Sequence, residues 1–94
     1  MTEEIELKSR YGDTHRLVPM EEYGENVYKL KPAEDWMPVR YIFNGNYDAE
    51  SDVNELVAVD TDGGPYLSVG NTVSGKKIER IYNKKGVGAL IVLK

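Results

Sequence analysis

The chain has 94 residues, a formal net charge of −4 and no cysteine. This length predicts a single domain over residues 1–94, with an interior too small for an enclosed active-site cavity of ordinary size. The absence of cysteine excludes disulfides and thiolate metal sites, and the acidic balance argues against general binding to nucleic acid.

Apolar residues recur mostly at every second position, which is typical of half-buried β-strands. In chain order the predicted strands cover 5–7, 17–20, 26–30, 39–43, 56–59, 66–69, 78–82 and 87–93. Turn residues separate these strands at Gly24, Asp60–Pro65 and Asn71–Gly75. Asn83–Gly86 suits a type I turn followed by a glycine in the left-handed region, so the last two strands are predicted to form a hairpin.

Three segments depart from this pattern. Pro32–Trp36 predicts irregular backbone or one helical turn, and the polar residues 44–54 predict a loop with one helical turn at Ala49–Val53. The segment from Lys76 to Tyr82 is ambiguous, because its apolar residues at 78, 81 and 82 also fit helical spacing.

About seven or eight short strands, about ten residues apart, predict a mainly β fold. We expect a small antiparallel barrel, roll or sandwich with at most one or two short helical turns. The apolar run Val87–Leu93 suits a central strand of the sheet, and one half of a homodimer seam is the alternative.

The N-terminal segment Met1–Glu4 is acidic and no apolar run follows it, so we expect no signal peptide. The longest apolar run, Val87–Leu93, is too short to span a membrane. Together these features predict a cytoplasmic protein.

The segment from Gly70 to Lys76 fits the Gly-x4-Gly-Lys core of a phosphate-binding loop. That loop requires serine or threonine after the lysine to hold Mg²⁺, and this position is Lys77. It also requires a following helix, whereas the residues after Lys77 favour a strand. We therefore interpret the match as a polar turn between strands.

Other motifs for catalysis or metal binding are incomplete. Asp48–Asp52 and Asp60–Gly63 resemble the start of calcium loops, but both lack the required later glycine and glutamate. His15 is the sole histidine and lies beside a turn, where a surface position is expected. The sequence therefore predicts a protein that is not an enzyme, with no catalytic residue, no metal site and no cofactor.

The aromatic residues indicate a recognition surface, since the chain has seven tyrosines and one tryptophan but one phenylalanine. Tyrosine and tryptophan are enriched at interaction surfaces. The alternative is that these amphipathic rings cap the open ends of a small β-domain. The aromatic residues in or beside predicted turns are Tyr11, Tyr23, Trp36, Tyr47 and Tyr66.

Charge is divided unevenly along the chain. Residues 1–62 contain 15 acidic and 6 basic side chains, whereas residues 63–94 contain 1 acidic and 6 basic. The C-terminal hairpin collects Lys76, Lys77, Arg80, Lys84 and Lys85 around Tyr82, and on a strand Arg80 and Tyr82 share a face. This cationic patch suits an anion or an acidic protein surface, or it keeps the hairpin edge from pairing with other chains.

The stretch from Leu56 to Gly70, LVAVDTDGGPYLSVG, resembles segments of small phage or prophage proteins. The resemblance covers about fifteen residues. It implies a non-enzymatic protein, encoded by a phage, that binds a host protein or a small signal molecule.

We therefore predict a non-catalytic binding module, such as a phage accessory or inhibitor protein, that docks on a protein partner. One alternative is a protein that binds or sequesters an anionic, nucleotide-like molecule, and another is an OB-like binder of single-stranded nucleic acid. The predicted binding residues are Trp36, Arg40, Tyr66, Lys76, Lys77, Arg80 and Tyr82, with Arg40 on a strand next to the basic hairpin.

Overall fold

The computed structural model describes residues 3–8, 12, 14–33, 39–42, 50–57 and 66–94 of the chain. In this part the backbone forms ten β-strands and one 3-10 turn, Glu21–Tyr23, and contains no α-helix. The strands are β1 (Ile5–Lys8), β2 (Thr14–Pro19), β3 (Val27–Lys31), β4 (Arg40–Ile42), β5 (Ser51–Val53), β6 (Glu55–Val57), β7 (Tyr66–Ser68), β8 (Thr72–Val73), β9 (Lys76–Lys84) and β10 (Gly88–Leu93). The mainly β prediction is confirmed, although the sheet formed by the described residues does not close into a barrel.

The larger sheet has the strand order β1-β2-β3-β10-β9-β5, and β8 pairs with the start of β9. Every neighbouring pair is antiparallel. β10 lies between β3 and β9, which confirms the prediction of a central strand for the apolar run Val87–Leu93. Gly86 has φ +83° in the turn before β10, so the predicted left-handed glycine is present.

A smaller sheet has the order β4-β6-β7, and the chain passes into it at Asn54. β5 ends at Val53 in the larger sheet and β6 begins at Glu55 in the smaller one. The N–H of Val69, just after β7, donates to the Asn54 carbonyl over 3.1 Å. This link brings the end of β7 close to β9.

The core lies on the inward face of the larger sheet. A row of opposed residues runs across four strands through Tyr28, Ile91, Ile81 and Val53, all almost fully buried. Each such apolar side chain contributes about 1.5–3 kcal/mol through its burial. Further core residues are Leu17, Leu30, Leu56, Leu67, Val73, Ile78, Ala89 and Leu93.

The pairing of β9 with β10 contains a β-bulge at Glu79. Arg80 stands opposite Val92 and Ile78 stands opposite Leu93, so the residue between them on β9 has no counterpart on β10. The extra residue allows Ile78 and Ile81, three positions apart, to face the core together. This is why the segment resembles a helix in its apolar spacing while it forms a strand.

The helical turn predicted at Ala49–Val53 is wrong for Ser51–Val53, which forms β5 against β9, and residues 43–49 lie outside the described part. Valine and cross-strand pairing favour the extended state there. The predicted turn at 71–75 contains the two-residue strand β8. Most of Pro32–Trp36 also lies outside the described residues.

His15 is 1% exposed, so the expected surface position is wrong. Strand β2 begins at Thr14, and alternation along it places His15 on the same inward face as Leu17. The N–H of Ala33 donates to Nδ1 of His15 over 2.9 Å. This histidine is therefore part of the folded interior.

In the described part of the chain, no helix has the length and apolar character needed to cross a membrane.

Candidate functional site

Four of the seven predicted binding residues lie on β9: Lys76, Lys77, Arg80 and Tyr82. Tyr66 lies on β7 and Arg40 on β4, both in the smaller sheet. Arg40 and Tyr66 pair with Val57 from its two sides, so β4 lies next to β6. The prediction that Arg40 lies on a strand next to the basic hairpin is therefore wrong. Trp36 lies outside the described residues.

Arg80 and Tyr82 share the outer face of β9, as predicted. The guanidinium carbon of Arg80 lies 4.6 Å from the centroid of the Tyr82 ring. Nε of Arg80 also donates to Oδ1 of Asp52 on β5. This hydrogen bond is the largest influence and raises the pKa of Arg80 above its ordinary value, although burial, the next largest, lowers it; the charges of Asp52 and Tyr82 add smaller increases.

The carboxylate of Glu50 occupies the other end of this face. It accepts from the hydroxyl of Tyr82 over 3.4 Å, from Nζ of Lys84 over 3.5 Å and from the N–H of Lys85 over 3.2 Å. Nζ of Lys84 also lies 5.9 Å from the centroid of the Tyr23 ring. The cations around Tyr82 are therefore neutralised by carboxylates of the same chain.

The predicted cationic patch is not compact. Lys76 and Lys84 are eight residues apart on an extended strand, which corresponds to about 25 Å. Strand alternation directs Lys76 and Lys77 to opposite faces. Lys76 lines a cleft beside β1, whereas Lys77 lines a groove beside Val69.

Lys77 forms a cross-strand pair with Lys94, a residue that the sequence did not single out. The N–H of Lys77 donates to the Lys94 carbonyl over 3.1 Å, and the N–H of Lys94 donates to the Lys77 carbonyl over 2.9 Å. Residues that exchange both hydrogen bonds have Cα atoms about 5.5 Å apart and side chains on the same face. The pairing depends on the bulge at Glu79, which shifts the register by one residue.

Two adjoining depressions flank Val69 and Glu79, and we call them together the bulge groove. One has a volume of about 630 Å³ and includes Val53, Val92 and Arg80 in its lining. The other has a volume of about 490 Å³ and includes Lys77 and Lys94. More of the lining surface is apolar than polar, although charged side chains also line both depressions, and Val69 is 46% exposed.

A larger cleft of about 870 Å³ lies between β1 and the start of β9. Its lining is more polar and includes Glu3, Glu4 and Glu6 beside the half-buried Ile5 and Leu7. Glu4 accepts from Arg16 over 3.2 Å at the surface.

Two of the predicted turn tyrosines are exposed. Tyr66 is 49% exposed on β7 and Tyr23 is 39% exposed in the 3-10 turn. Tyr11 and Tyr47 lie outside the described residues. Neither exposed tyrosine lines the bulge groove, so the predicted aromatic surface and the groove are separate.

The motif from Gly70 to Lys76 forms β8 and a hairpin turn in which Ser74 and Gly75 have φ of 50° and 80°. The strand β9 follows it where a phosphate-binding loop would require a helix, which supports its rejection. Across the described residues, no group of three or more His, Asp or Glu side chains is placed to hold a metal ion. Asp48 and Asp60–Gly63 lie outside them.

Comparison of the chain with protein-family models, curated proteins and solved structures finds no match. The resemblance to phage proteins therefore stays a prediction.

Proposed function

We propose that the protein is a non-catalytic binding module that docks on a protein partner through the bulge groove. The observation that supports this most is the half-exposed Val69 between two depressions that are lined by apolar surface together with charged side chains. Apolar centres with polar borders are characteristic of protein interfaces. A phage origin and a cytoplasmic location, expected from the sequence, stay predictions.

The geometry gives less support to a nucleotide-like ligand at Arg80 and Tyr82. Such a ligand would have to displace Asp52 from Arg80 and Glu50 from Tyr82 and Lys84. A single-stranded nucleic acid would meet the same obstacle, because stacking on Tyr82 competes with the guanidinium of Arg80. A partner that covers Val69 displaces none of these contacts.

The test is selection of a random peptide library on the purified protein, followed by titration of the enriched peptides. We expect dissociation constants of about 1–100 µM, because a groove of this size buries a small interface. Val69→Asp should weaken binding about tenfold, since it places a charge against the apolar side chains of the partner.

Tyr66→Ser is the matched control, because Tyr66 is as exposed as Val69 and lies outside the groove. If Val69→Asp binds the peptides like the wild-type protein and Tyr66→Ser loses binding, the docking surface lies on the smaller sheet and not at the bulge groove. Light scattering at increasing concentration shows whether a second copy of the chain is the partner, in which case Val69→Asp yields monomers.

A further inference from the structure

We infer that the partner segment is acidic and places a carboxylate between Lys77 and Lys94 while its apolar side chain covers Val69. This inference rests on the proposed function of the bulge groove and adds the chemistry of its partner.

The charge arrangement at the Lys77–Lys94 pair is unfavourable. Lys77 and Lys94 stand directly opposite each other on neighbouring strands, and like charges in this position repel. Both are exposed, and neither forms an ion pair with any residue in the described ranges. A carboxylate between the two ammonium groups converts this repulsion into attraction.

Two other cations of β9 differ from this pair in having a carboxylate partner. Arg80 is paired with Asp52, and Lys84 with Glu50, so the chain supplies carboxylates to these cations. Glu79 also borders the groove, but it forms no ion pair with the two lysines in the described structure. On the outer face of β9, the described cation left for a partner is therefore Lys77, with Lys94 beside it, whereas Lys76 lies on the opposite face in the cleft beside β1.

The apolar and cationic side chains of this part of the groove lie close enough together for one extended segment to contact both. Val69, Lys77 and Lys94 line the same depression of about 490 Å³. Thr72 on β8 pairs with Lys77 from the side away from Lys94, so its hydroxyl group lies beside the two lysines. In an extended segment, residues i and i+2 share a face about 6–7 Å apart, so we expect an apolar residue two positions from Asp or Glu.

The experiment uses three labelled peptides as probes, titrated against the whole protein by fluorescence anisotropy. The first alternates Leu and Glu at i and i+2 with serine between them, the second carries Gln for Glu, and the third carries Lys for Glu. Inorganic phosphate is added as a competitor to separate a free-anion site from a peptide site. We expect the Glu peptide to bind about tenfold more tightly than the Gln peptide and to resist millimolar phosphate.

The protein variants are Lys77→Glu/Lys94→Glu and, as a charge-matched control, Lys31→Glu/Lys85→Glu, since these lysines are exposed outside the groove. We expect the first pair to abolish the preference for the Glu peptide and the control to retain it. Lys77→Arg/Lys94→Arg should also retain it. Thermal melting of each variant confirms that it is folded.

Equal affinity for the Glu and Gln peptides, absence of Glu-peptide binding, or equal loss in the control would overturn the inference. Displacement of the Glu peptide by millimolar phosphate would also overturn it, because the lysines would then form a free-anion site. Library peptides that depend on Val69 but lack acidic residues would leave the proposed function intact and contradict only this inference. Library peptides indifferent to Val69→Asp would contradict the proposed function itself.

Discussion

The guanidinium of Arg80 lies over the ring of Tyr82, 4.6 Å from its centroid, on the outer face of β9. Because a hydrogen bond to Asp52 raises the pKa of Arg80, this group stays charged even above the pH at which an ordinary arginine loses its proton. Its contribution to stability is fully present below the ordinary pKa of arginine and is lost only as the pH rises through the raised pKa. The cation–π contact is therefore constant across physiological pH.

A double-mutant cycle with Arg80→Ala and Tyr82→Leu should give a coupling energy of about 0.5–1 kcal/mol, the usual size for an exposed cation–π pair. Urea denaturation measures the four free energies of unfolding. The coupling should be the same at neutral pH and at about pH 9, because the guanidinium does not titrate there. Strictly additive effects would mean that the two side chains do not interact in solution.

Lys77→Glu should stabilise the fold by about 0.2–1 kcal/mol, because it replaces a like-charged cross-strand pair with an oppositely charged one. The thermal midpoint at low salt measures the gain, and high salt should reduce it. Lys77→Gln serves as control: it removes the repulsion without creating an oppositely charged pair, so its midpoint should lie between those of the wild-type protein and Lys77→Glu. A midpoint for Lys77→Glu at or below that of the wild-type protein would contradict the predicted repulsion.

Ser74→Asn should raise the free energy of unfolding by about 0.5–1 kcal/mol. Ser74 has φ 50° and Gly75 has φ 80°, so both central residues of this hairpin turn are in the left-handed region. Asn-Gly is the preferred pair in such turns, whereas serine carries a steric penalty there. Ser74→Val should be destabilising by about 1–2 kcal/mol, and chemical denaturation of both variants shows whether they change in opposite directions.

Deletion of Glu79 should leave a folded protein with a loss of about 1–3 kcal/mol, within the usual range for single changes. The shortened strand would still place Ile78 and Ile81 inward and Arg80 outward, now without a bulge. Deletion of Val92 should instead abolish cooperative unfolding, because it rotates the buried Leu93 to the outer face. Circular dichroism during heating distinguishes the two, and similar melting of both deletions would contradict the assigned register.

His15→Ala should reduce stability by about 2–4 kcal/mol, since it leaves a cavity in the interior and removes the acceptor of the Ala33 N–H. Thr14→Ala, on the outward face of the same strand, should cost less than about 1 kcal/mol. Urea titration of both variants provides the comparison. If His15→Ala changes the free energy of unfolding by less than about 0.5 kcal/mol, the result would support the surface position that the sequence indicated.

The strands with two or more alternating apolar residues could be predicted from the sequence, and so could the central place of β10. Strand β5 could not, because Ser51-Asp52-Val53 contains one apolar residue and becomes a strand by pairing with β9. The bulge at Glu79 also cannot be predicted from the sequence of β9 alone, since it is defined by the pairing of β9 with β10. His15 was misplaced because the start of β2 at Thr14 carries no clear apolar signal.

The candidate site was predictable where two residues share one strand, as with Arg80 and Tyr82. It was not predictable where strands distant in sequence meet. The carboxylates of Glu50 and Asp52 belong to a segment that the sequence assigned to a loop, yet they neutralise the basic strand. Lys94 could not be predicted as a neighbour of Lys77, because the bulge determines which residue of β9 it faces.

Asn54 has a mechanical consequence for the molecule. It is the single residue between Val53 in one sheet and Glu55 in the other, so the two sheets cannot shift far relative to each other at this point. Val53 and Val69, which border the bulge groove, stand on either side of this junction and are tied through the Asn54 carbonyl. A peptide bound in the groove would therefore slow amide hydrogen exchange in β6 and β7 as well as in β9.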